Sequence, residues 1–139
     1  MPAAGGKGLP LATRLYKSRT LGLTLGLVCV VFGMYPLNPS AWVWAWMLIN
    51  AVVWPHLAYR LSLRTANMLR SEHRNVLFDS FCGGFWVGAM HFNPLPSITT
   101  LSMMTMNNVA LGGPRLMLAG WVAQALGIEL QASAAQAAQ

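Results

Sequence analysis

The sequence predicts an all-α fold, a polytopic transmembrane helical bundle of about five helices, on three observations. Hydrophobic residues make up 55% of the 139 positions and charged residues only 9%, against about 25% charged in soluble domains. Mean hydropathy is +0.48. The apolar residues gather into five runs, about 21 to 37, 41 to 59, 76 to 92, 97 to 113 and 115 to 130, with cations clustered between them. The net charge of +6 therefore does not form a solvated basic face. The expected partner is a lipid bilayer, with no nucleic acid.

Residues 1–13 are rich in Gly, Pro and Ala and are expected to be a disordered tail. Arg14, Lys17 and Arg19 form a basic collar ahead of the first run, and no small-residue cleavage site follows that run, so it is expected to stay as an anchor. The connections PLNPS (36–40) and NPLPS (93–97) are uncharged, whereas residues 60–74 carry Arg60, Arg64, Arg70 and Arg74. Positive loops stay in the cytoplasm. This places the N-terminus, the Arg-rich loop and Arg115 inside and the two Pro-rich turns outside, with Trp42, Trp44 and Trp46 in an outer aromatic belt. Leu61, Leu63, Met68 and Leu69 leave open whether the Arg-rich loop is a topogenic charge cluster or an interfacial helix on anionic lipid. The transmembrane domain is expected over 14–130. Residues 131–139 are a low-complexity Ala/Gln tail that cannot span, so either the fifth run lies in the interface or, as is expected in preference, the chain is a fragment lacking a sixth crossing.

Polar residues within the runs are few: Asn50, His56, Asp79, His91, Asn107 and Asn108. Each is costly in lipid and needs a partner or a role. At about 1.5 Å per residue, His56 lies roughly 6 Å inside Arg60, Asp79 roughly 7.5 Å inside Arg74, and Asn107 and Asn108 roughly 11 to 12 Å inside Arg115. Three runs thus bring polar groups to the same cytoplasmic third, either as a proton- or ligand-sensitive switch or as a clamp between helices. Pro55 removes a backbone donor next to His56 and kinks the helix. Gly83, Gly84 and Gly88 form a small-residue face for close helix packing, against a helix of the same chain or of a second copy.

Met90, His91, Met103, Met104 and Met106 include donors that suit Cu(I). One imidazole without a cysteine at that depth falls short of a site, so no metal and no cofactor are expected. Cys29 and Cys82 sit in apolar runs and read as small hydrophobes. No phosphate-cradling loop, HExxH, CxxC or carboxylate pair is present, so this chain is not expected to catalyse a reaction.

The stretches WPHLAYR (54–60), DSFCGGFWVGAMHFNPLPS (79–97) and NNVALGGPRL (107–116), in this order and spacing, resemble the second class of MASE (membrane-associated sensor) domains over about residues 14–130. The matching positions are Trp54, Pro55, His56, Asp79, Gly83, Gly84, Trp86, Pro96, Ser97, Gly112 and Gly113. The resemblance implies an N-terminal module of the bacterial inner membrane. It implies signal transduction through a following cytoplasmic cyclase domain, diguanylate or class III adenylate, and a homodimer. Two other readings stay open from the residues: a small transporter or channel using the polar cluster, and a passive anchor.

Overall fold

The computed structural model describes residues 5–137. Helix α1 spans Gly5–Met34 and ends in a single 3-10 turn, Tyr35–Leu37, where Asn38 takes the left-handed conformation (φ 53°) that asparagine tolerates better than most residues. Helix α2 (Ala41–Leu48), a π turn (Ile49–Val53) and helix α3 (Trp54–Arg64) form one unbroken rod. Helix α4 spans Met68–Ala89, and α5 spans Pro94–Ala137 with a break at Gly113. No strand occurs among the described residues.

Among the described residues there are therefore four helical stretches, not the five expected from the apolar runs. The runs 97–113 and 115–130 are two limbs of α5, joined at Gly113, whose φ of 69° and ψ of −159° suit glycine. Pro114 disfavours the helical conformation in the residue before it, so Gly-Gly-Pro bends the stretch without a loop.

A second difference concerns the ends. Helix α1 already begins at Gly5, inside the stretch expected to be a loose tail, and α5 continues to Ala137. Once a helix is nucleated, each added residue gains a bond at little further cost, and Ala and Gln are good helix formers. The expectations for residues 1–4 and 138–139 lie outside the described residues.

Among the described residues two stretches are long and apolar enough to cross a bilayer, Thr13–Leu37 and Ala41–Arg64. Helix α4 carries Ser71, Glu72, Asn75, Asp79 and Ser80, all buried, and these lower its hydropathy. Its N-terminus is capped by Asn67, whose side-chain oxygen accepts the Arg70 amide at 3.2 Å. At the other end Asn93 precedes Pro94, which suits the first helical position of α5 because it has no amide to leave unpaired.

The chain divides into two compact units. The first comprises residues 1–27 and 40–72, hence most of α1, the whole α2–α3 rod and the start of α4. The second comprises residues 28–39 and 73–139, hence most of α4 and all of α5.

Candidate functional site

In the first unit, His56 lies one residue into α3 past Pro55. Immediately before that proline the backbone winds as a π turn, and the Trp54 amide donates to the Ile49 carbonyl five residues back. Proline has no amide to offer the Ala51 carbonyl four residues earlier, and longer-range bonding is one way to accommodate the gap. Asn50 is buried within this turn. His56 itself is exposed, and its Nδ1 shares a 2.8 Å hydrogen bond with the Tyr16 hydroxyl of α1. The Tyr16 ring also packs obliquely on His56 (5.6 Å between centroids) and on Tyr59 (4.8 Å).

Deeper in this unit is a polar group that the sequence reading did not single out. Arg19 Nη2 donates to Glu72 Oε2 at 2.8 Å, and the Ser62 hydroxyl donates to Glu72 Oε1. The side chains of Arg19 and Glu72 are only 5% and 2% exposed. Charge-assisted bonds of this kind satisfy the carboxylate from two sides and join α1, α3 and α4. The available signal was composition: Glu72 is one of only three acidic residues in the chain and stands among seven cations between Arg14 and Arg74.

The second unit is organised by Asn108 and by glycine. Asn108 is fully buried, and its side-chain amide donates to the Ser80 hydroxyl of α4 at 2.9 Å. A Cβ at position 120 would fall 1.9 Å from that amide nitrogen, so Gly120 on the second limb of α5 makes room for it. Asn108 thereby ties α4 to one limb while resting on the other. Trp121 Nε1 donates to Thr105 Oγ1 at 3.0 Å and links the same two limbs.

Gly84 and Gly88 face a helix of the same chain, namely the second limb of α5. A Cβ at 84 would lie 2.0 Å from the Gln124 carbonyl oxygen, and one at 88 would lie 3.1 Å from the Gln131 side chain. From the opposite side, a Cβ at Gly127 would lie 2.1 Å from the Phe81 carbonyl oxygen. Gly83 instead looks toward Met104 and Thr100 on the first limb. Trp86 and Ser97 are buried, and Pro96 touches the space over Gly33. Gly112 packs against the Leu116 side chain at the bend.

The expected polar cluster is thus distributed over the two units. His56 and Asn50 belong to the first, and Asp79, Asn107 and Asn108 to the second. Asp79 is buried, Asn107 is half-buried, and Asn108 has Ser80 as its partner. His91 is exposed in the turn after α4, where it and Phe92 both adopt positive φ (53° and 57°). Among the described residues no three His, Cys, Asp or Glu side chains are grouped to hold a metal ion.

An all-helical chain with two stretches fit to cross a membrane, and with interior polar side chains held in bonds between helices, belongs to the class of helical membrane-associated modules. Comparison with known proteins gives the family: the MASE2 domain model matches residues 14–102, and the chain belongs to the MASE2 family. It is 36% identical over 115 residues to the probable diguanylate cyclase DgcC of Escherichia coli strain K12, and to that of Escherichia coli O6:H1 strain CFT073. The similarity covers 83% of this chain and 31% of each relative, so the chain spans about a third of the curated relatives it matches. No solved structure matches it.

Proposed function

We propose that the chain is the sensory and anchoring module of a nucleotide cyclase in the bacterial inner membrane. In this reading it crosses the bilayer several times with its N-terminus in the cytoplasm. It forms a homodimer and regulates a cytoplasmic cyclase domain, diguanylate in preference to adenylate. The observation that carries the reading is membership of the MASE2 family, together with 36% identity to probable diguanylate cyclases that extend well beyond the matched region. A stimulus need only bind one helix arrangement better than another to shift the output of an attached dimer.

Within that reading the two polar centres take different roles. Asn108 with Ser80 is the clamp, because both groups are buried and paired. His56 with Tyr16 is the candidate switch, because its bond is accessible and joins α1 to the residue after the proline.

The test replaces the corresponding region of the K12 relative with this chain and measures cyclic di-GMP in cells. The chimaera should make the dinucleotide at a level that changes with growth condition. His56→Ala or Asp79→Asn should alter that response while membrane insertion is retained. If an unrelated set of spans supports the same condition-dependent output, the chain is a passive anchor and the sensory reading fails.

A further inference from the structure

The charges of this chain are not evenly shared between its two units. Seven of its nine Lys and Arg residues and one of its three acidic residues fall in the first unit, giving it +6, while the second unit is neutral by sequence. The single carboxylate of the first unit, Glu72, is already engaged by Arg19 and Ser62. Its remaining cations therefore have no acidic partner available within the unit.

Two of those cations open onto a cleft of about 400 Å³ lined by Thr13, Tyr16, Lys17, His56, Tyr59 and Arg60. Both walls are built by the same spacing. Thr13, Tyr16 and Lys17 stand at i, i+3 and i+4 on α1, and His56, Tyr59 and Arg60 stand at i, i+3 and i+4 on α3, so each triplet lies on one helix face. The hydrogen bond between Tyr16 and His56 and the Tyr16–Tyr59 ring contact hold the two faces together. Lys17 and Arg60 are exposed and supply positive charge, while Tyr59 adds a hydroxyl donor. This donor set matches an anion with several oxygens, and arginine and lysine are the residues that take phosphate.

The cleft lies near one end of each candidate span. Lys17 lies four residues inside Thr13, where one candidate span begins, and Arg60 lies four residues inside Arg64, where the other ends. At about 1.5 Å per residue both cations sit roughly 6 Å from the ends of the candidate spans.

We propose that the cleft between α1 and α3 is a phosphate-binding site, taking the phosphodiester of an anionic phospholipid headgroup or a soluble phosphate of the same chemistry through Lys17 and Arg60. The site stands whether or not a cyclase domain follows the chain.

The experiment uses the full chain in nanodiscs of phosphatidylcholine doped with phosphatidylglycerol, followed by detergent extraction and native mass spectrometry to count retained lipid. Inorganic phosphate is added in a parallel arm. The variants are Lys17→Gln with Arg60→Gln, and, as a control of equal charge, Arg14→Gln with Arg64→Gln. The wild-type chain and the control should retain phosphatidylglycerol over phosphatidylcholine. The Lys17/Arg60 double variant should lose about fivefold per cation, about 25-fold in all. Saturable displacement of the lipid by inorganic phosphate, lost in the same double variant, would assign the site to soluble phosphate and also support it. Circular dichroism keeps an unfolded variant from being scored as a loss. Equal losses in both double variants, or no preference for either phosphate source, would overturn the proposal.

Discussion

The two units of the chain solve the problem of helix association with different emphasis. The first carries all of the net charge and holds its helices with side-chain bonds: the Arg19–Glu72–Ser62 group inside and the Tyr16–His56 pair near the surface. The second is electrically neutral and adds backbone proximity to its Asn108–Ser80 and Trp121–Thr105 bonds, with Gly84 and Gly127 removing the side chains that would keep α4 and the second limb of α5 apart. In lipid there is little hydrophobic gain from bringing two apolar helices together, so contact must come from polar bonds or from close packing. The difference teaches that one short chain uses both, and that the more rearrangeable bonds lie in the charged unit. Side-chain bonds have alternative partners; a carbonyl seated over a glycine does not.

The comparison can be broken most severely at Glu72. Replacing it with Ala leaves Arg19 charged and buried without its carboxylate, an expected loss of about 3–5 kcal/mol. Equilibrium unfolding in detergent–SDS mixtures would read this. Replacing both Arg19 and Glu72 with methionine should recover most of the loss, because no buried charge then remains.

Next in size, Gly84→Val should cost about 3 kcal/mol by the same assay, since the new side chain meets the Gln124 backbone and not a movable side chain. Gly22→Ala is its contrast: nothing lies within 4 Å of a Cβ there, and stability should hold or rise slightly. Asn108→Leu should cost about 1–2 kcal/mol, from the lost bond to Ser80 and the volume pressed against Gly120. The smallest loss is expected at Tyr16→Phe, which removes an accessible hydroxyl bond but keeps the ring contacts: roughly 0.5 kcal/mol. If Tyr16→Phe proved as damaging as Gly84→Val, the contrast between rearrangeable and fixed contacts would be lost.

The breaks between helices were the most legible part of the fold. Pro36 and Pro39, Asn93 with Pro94, and Gly113 with Pro114 each restrict the backbone locally, and each sits where a helix ends, begins or bends. The number of helices was less legible, because a Gly-Gly-Pro bend and a loop produce the same interruption in an apolar run. Among the site residues, Asn108 could be recognised as a buried polar group, but its partner Ser80 is a small residue that carries no signal of its own. The pairing of Arg19 with Glu72 was hidden for another reason. The two residues are 53 positions apart, and each lies in a charged segment that reads as a marker of membrane topology. Charge alone does not reveal which arginine of a cluster turns inward.

The π turn at Ile49–Val53 works as an angular offset. It carries one residue more than an α-helical path would need, and one residue corresponds to about 100° of rotation around the axis. The side of the rod on which Met47 is buried is therefore brought round toward the side on which Tyr59 meets α1, from about 120° away to about 20°. Deleting a single residue, such as Val52, would leave both halves helical and apolar but turn the whole lower half by about a quarter revolution, carrying His56 and Tyr59 away from Tyr16 at once. In relatives of this chain a one-residue gap within 49–53 would therefore mark a change in which face of the rod is presented to its neighbour, even where every flanking residue is the same.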